Sequence, residues 1–100
     1  MELMDVGEII GSRKYEIATT DGTGEVILYL GKPQPFPDSS GFFCPLQILG
    51  VGDEKVRYAG GVDGIQALQL ALRMAGSLLD TLAPDVRGKL RWEGSNDFGL

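Results

Sequence analysis

The chain has 100 residues, 43% hydrophobic and 23% charged, with a net charge of −5, one cysteine and no histidine. That length and balance suit a single domain, residues 1–100, with one modest core. The nine scattered Lys and Arg exclude a sequence-independent grip on nucleic acid, the missing histidine excludes Ser–His–Asp and Cys–His catalysis and His-containing zinc sites, and a lone cysteine excludes an internal disulfide.

The start, M-E-L-M-D-V-G-E, is acidic and lacks the basic residues and apolar stretch of a signal peptide. No apolar run approaches the ~20 residues needed to cross a bilayer. A cytoplasmic protein of prokaryotic type, with no membrane partner, is the expectation. Residues 1–11 are ambiguous, though Ile9 and Ile10 can begin a strand with Gly11 as a bulge. Ser12–Thr20 alternates, with Tyr15, Ile17 and Thr19 on one face, and reads as a half-buried strand. Asp21-Gly22 follows as a hairpin signal. Glu25–Leu30 is a second strand, apolar on both faces: Val26, Leu28 and Leu30 on one, Ile27 and Tyr29 on the other. Such a strand is either covered on both sides or exposes an adhesive patch.

Gly31–Gly41 carries three alternating prolines and reads as a stiff spacer. Phe42–Leu49 is the third strand, Gly50–Glu54 a turn, and Lys55–Ala59 a fourth strand with Val56 and Tyr58 inward and Lys55 and Arg57 outward. The period then changes from 2 to 3.6. Residues 62–83 predict a helix capped by Asp63 and Gln66, with Val62 stapled to Ala67 and Pro84 as the stop. Ile65, Leu68, Leu72, Ala75, Leu79 and Leu82 form its central apolar stripe. Ala67, Ala71, Met74 and Leu78 widen that stripe, and Leu70 lies at the edge of the wet face, so the helix carries more apolar surface than one sheet covers. Asp85–Gly88 reads as a turn, Lys89–Glu93 as a last strand with Leu90 and Trp92 inward, and residues 94–100 as a flexible tail. The assembled expectation is an α+β two-layer domain, an antiparallel sheet of four to five strands with one long helix, about 62–83, across one face.

Few residues point to chemistry. Cys44 shares its strand face with Phe42, Leu46 and Ile48 and reads as a core residue, because a reactive thiol needs a nearby cation, helix N-terminus or histidine. Pro45 cannot donate to a ladder and marks a kink, with regular pairing from Leu46 onward. Gly50-Val51-Gly52 is not followed by the glycine and helix of a phosphate loop. Gly60–Gly64 opens a helix, but Asp63 is placed to occupy the free N–H groups there. Asp97-Phe98-Gly99 matches a kinase metal triplet without any of its companion motifs. The turn carboxylates Asp21, Asp38, Asp53 and Glu54 have no calcium-loop spacing. No catalytic, cofactor or metal residue is assigned.

The run from Leu30 to Leu72, holding L-G-K-P-Q-P, then C-P-L-Q-I, a G-D turn and the helix start V-D-G-I-Q-A-L, resembles a small bacterial family of unknown function. The resemblance implies a stand-alone bacterial cytoplasmic domain and brings no activity, cofactor or catalytic residue. The expectation is therefore a non-enzymatic protein–protein interaction domain. It would work as a homodimer through Ile27, Tyr29, Leu70 and Met74, or bind a basic partner, immunity or antitoxin-like at its furthest. The alternative is a small enzyme or ligand-binding domain with a pocket on the sheet face near Cys44, Tyr58 and Arg57.

Overall fold

A computed structural model of the chain describes residues 1–81, 90–94 and 98–100. Its elements are β1 (Ile9–Thr19), β2 (Gly22–Gly31), β3 (Gln34–Pro35), β4 (Phe42–Leu49), β5 (Arg57–Gly61), α1 (Gly64–Thr81) and β6 (Leu90–Arg91). The architecture is the expected one, an open antiparallel sheet with one helix packed across it. Six strands take part because β3, inside the proline-rich spacer, also pairs with β4. The expected helix end at Ala83 and Pro84, Leu82, the turn Asp85–Gly88, Lys89 and Asp97 lie outside the described residues.

The first strand begins at Ile9 rather than Ser12, and its register shifts between Ile9 and Gly11, the bulge the two isoleucines allowed. Thr19 already pairs with Gly22, so the hairpin loop is Thr20 and Asp21, and Gly22 takes a φ of 136°. β4 is the hub. One of its edges pairs with β5 over Phe42–Leu46. Its other edge meets Gln34 and Pro35 of β3 at Phe43 and Phe42, then Leu30 of β2 at Leu46. Pro45 falls between those two blocks of pairing, where its missing N–H interrupts no rung with β2. Pairing with β2 starts at Leu46, but pairing with β5 runs in unbroken register from Phe42 through Pro45, so the expectation of regular pairing only from Leu46 is corrected. Gly31 lies against Pro45. A Cβ there would stand 3.2 Å from Pro45 Cβ and collide with the Val6 carbonyl, so the N-terminal segment crosses the sheet at a position only glycine allows.

One sheet face is the core. Tyr15, Ile17, Val26, Leu28, Cys44, Leu46, Ile48 and Ala59 are buried against α1 and Leu90. Two expectations are corrected here. β5 starts at Arg57, and Cys44 pairs with Ala59, so Ala59 and Arg57 share the helix-side face while Tyr58 points away. The glycines that follow carry no side chains to reveal this phase, and Val56 lies before the strand. Second, the helix is rolled. Its fully buried line is Ala67, Ala71, Ala75 and Leu79, while Ile65 is 72% exposed and Val62, the expected staple, 77% exposed. A Cβ on Gly61 would stand 2.6 Å from the Ala67 nitrogen. At so close an approach only alanines fit beneath the helix, and Leu68, Leu70, Met74 and Leu78 become partly buried flanks. The cap is as expected: Gln66 N–H donates to Asp63 Oδ1 at 2.8 Å, and Gln66 Oε1 accepts from Val62 N–H at 2.7 Å.

The helix packs on β4 and β5. Near β1 and β2 the core is completed by Leu90, Trp92 and Phe98. Tyr15 Oη donates to the Phe98 carbonyl at 2.9 Å, and the two rings meet edge-on at 5.6 Å. Arg13 donates to the Phe98 and Gly99 carbonyls and lies 4.0 Å over the Trp92 ring. Residues 98–100, part of the expected tail, thus lie along the sheet.

Candidate functional site

Cys44 is fully buried on the helix side of β4, and its thiol donates weakly to the Gly31 carbonyl at 3.4 Å. Burial pushes the thiol up to about 11. Such a group is neutral at physiological pH and inert toward substrates that cannot reach it. The core reading of Cys44 therefore agrees with its surroundings.

The four residues expected to make contacts do not meet. Leu70 and Met74 stand on the flanks of α1, half-buried against the core. Ile27 and Tyr29 stand on the opposite sheet face, half-buried, in adjacent rows. One row runs Lys14, Ile27, Leu49 and the next Ser12, Tyr29, Gln47 across β1, β2 and β4. Farther along β4 the same face continues through Pro45 and Phe43 to an aromatic cluster. Phe36, Phe43 and Tyr58 have ring centroids 5.3–5.9 Å apart. An antiparallel sheet with one face on the core ordinarily presents polar residues on the other. Here Ile27, Tyr29 and Leu49 make an apolar patch on the outer face, flanked by Lys14, Ser12 and Gln47 in their own rows and by Glu16, Glu25 and Arg91 toward one end.

The second surface is an open groove of about 820 Å3 beside β5. Tyr58 and Arg57 both line it, as expected of a pocket near them, but Cys44 does not. Arg57 forms a two-pronged ion pair with Asp53, at 3.0 Å and 2.9 Å, and the guanidinium holds the Asp53 carboxyl below the usual carboxylate range. Glu54 ties the same turn: its carboxylate accepts the Gly50 N–H at 2.8 Å and its carbonyl accepts Gln47 Nε2 at 2.9 Å. These turn carboxylates, which the sequence offered only as lacking calcium-loop spacing, fix the wall of the groove. Sequence reasoning also missed Met1, Met4, Val56 and Leu78 as lining residues. The recurrence of Met at positions 1 and 4 was the available signal, but nothing local to it places the segment beside α1. No group of three or more Cys, Asp and Glu able to hold a metal ion occurs among the described residues.

Compared with protein-family models, residues 11–100 match a domain of unknown function, DUF6968. The chain belongs to this family. The match spans both surfaces of the DUF6968 domain except for its first ten residues, and it agrees with the uncharacterised family that the resemblance implied. No curated protein and no solved structure matches the chain. No helix among the described residues of the DUF6968 domain is long and apolar enough to cross a membrane.

Proposed function

We propose that this domain acts by protein–protein contact rather than catalysis, as a homodimer in the bacterial cytoplasm. The observation that carries the reading is the outer sheet face, where Ile27, Tyr29 and Leu49 lie side by side and half-exposed in the middle of the sheet. A second copy laid over that face would bury those residues without opening either core. The net charge of −5 favours a basic protein as a further partner, and neutralising such a partner, as an immunity or antitoxin-like protein does, is the furthest form of this reading. The groove lined by Arg57 and Tyr58 supports the alternative, a small ligand-binding domain.

Sedimentation over a concentration series tests the dimer. The expected mass is near twice 10.7 kDa, falling toward the monomer on dilution, and Ile27→Glu should shift the balance to monomer at every concentration. A wild-type chain that stays monomeric at all concentrations above micromolar rules the dimer out.

A further inference from the structure

The chain holds two Asp-Gly pairs, Asp21-Gly22 and Asp63-Gly64, and the fold treats them differently. Such pairs carry a built-in reaction. Glycine has no Cβ to shield its nitrogen from the preceding carboxyl carbon, so the two atoms can join into a five-membered imide. Asp63 is held back from this. Its Oδ1 accepts the Gln66 N–H at 2.8 Å and its carbonyl accepts the Ala67 N–H at 3.0 Å, so the carboxyl is fixed over the first turn of α1. Pro33 packs beside Gly64, 3.5 Å from where a Cβ would stand. The carboxylates of Asp5, Asp38 and Asp53 are likewise tied to backbone N–H groups two residues on. Asp21 has no such tie among the described residues. It is exposed at the hairpin tip with Thr20, and the space around Gly22 is open, since a Cβ there meets nothing within 4 Å. Thr19 and Gly22 form the last rung of the β1–β2 ladder, and opening that rung alone frees the Gly22 nitrogen.

We propose that Asp21 is a modification site, the residue at which the folded chain converts aspartate to isoaspartate. The Gly22 nitrogen bonds to the side-chain carboxyl carbon of Asp21, and the amide proton leaves with the carboxyl hydroxyl as water. A second water opens the imide at the main-chain carbonyl. The main chain then runs through the Asp21 Cβ, and the former main-chain carbon becomes a free carboxylate. One water leaves and one enters, so the mass is unchanged. The extra methylene falls inside a two-residue loop, where it loosens the closing rung between Thr19 and Gly22. The site lies apart from Ile27, Tyr29 and the groove beside β5, so it does not depend on the protein-contact reading.

The test keeps the intact chain in warm neutral buffer for weeks, beside two free peptides with the sequences of residues 17–25 and 58–73. Digestion after glutamate releases residues 17–25 from the chain, with Asp21 as their only aspartate, and digestion after Lys and Arg releases residues 58–73, with Asp63 as theirs. The isomer is measured by its shifted chromatographic retention at unchanged mass, and by its acceptance of a methyl group from an isoaspartate-specific carboxyl methyltransferase. In the folded chain Asp21 should convert within a few-fold of its free peptide. Asp63 should fall behind its own peptide by about tenfold or more, because the helix cap must open first. Equal slowing at the two positions overturns the proposal, as does faster conversion at Asp63. Asp21→Ser, at an exposed loop position, should remove most of the methyl acceptance of the folded chain, and an unchanged total overturns the proposal too.

Discussion

The Cys44 thiol lies 3.4 Å from the Gly31 carbonyl inside an apolar core, so ionising it would strand a charge with no cation to answer it. Its folded value of about 11 lies above the ordinary 9.0. The sign follows from which state keeps the proton. Below pH 9 both states hold it and the contribution to stability is complete. Between pH 9 and 11 the unfolded chain releases it while the fold retains it, so stability falls as pH rises. Urea midpoints measured from pH 8 to 11 should therefore decline more steeply for the wild type than for Cys44→Ala. At neutral pH a thiol reagent should label Cys44 no faster than the chain unfolds, and rapid labelling of the folded protein would contradict the burial. This residue was legible from sequence because two simple facts, strand parity and the absent histidine, point the same way. Tyr58 was not, since its phase had to be read across a strand that ends in two glycines.

Elements were easier to read than their rotations. Strong alternation placed β1, β2 and β4, and the change of period placed α1. The direction that α1 faces follows instead from the gap beneath it. Summing large apolar side chains puts the centre of the stripe on Ile65, Leu68 and Leu72. The close approach of Gly61 to the backbone of Ala67 selects alanine there, leaves Ile65 exposed and moves Leu68 and Leu72 to the half-buried flanks. Hydrophobic periodicity counts apolar mass, whereas packing at this distance is decided by how little side chain a position carries. Gly61→Ala tests the point. With 2.6 Å between the new Cβ and the Ala67 nitrogen, the helix start must move, and a loss of about 1–3 kcal/mol is expected in denaturant unfolding. Gly11→Ala, whose Cβ meets nothing within 4 Å, should cost little by the same measurement. Equal effects at the two glycines would mean that the helix does not depend on the close contact.

Across the whole molecule, one helix does not roof the sheet. It packs on β4 and β5, and the half of the core face formed by Tyr15, Ile17, Val26 and Leu28 is closed by Leu90, Trp92 and Phe98 from the end of the chain. Sequence showed Leu90 and Trp92 as inward residues, but residues 94–100 offered no periodic pattern to place Phe98. Its position depends on partners more than 80 residues away, the Tyr15 hydroxyl and the Arg13 guanidinium. Burial raises the Tyr15 phenol above its ordinary value, with Arg13 opposing that rise. The neutral phenol is therefore the form the fold favours, and its contribution is lost as pH climbs past 10. Phe98→Ala removes the edge-on ring and admits water to Tyr15. Melting should drop by an amount corresponding to about 1–3 kcal/mol, and the Tyr15 phenolate, followed by its ultraviolet absorbance, should appear at lower pH than in the wild type. Phe98 lies on the helix side of the sheet, away from Ile27 and Tyr29, so the sedimentation behaviour of the folded variant should match the wild type. A variant that keeps full stability and an unshifted Tyr15 would show that the core closes without Phe98.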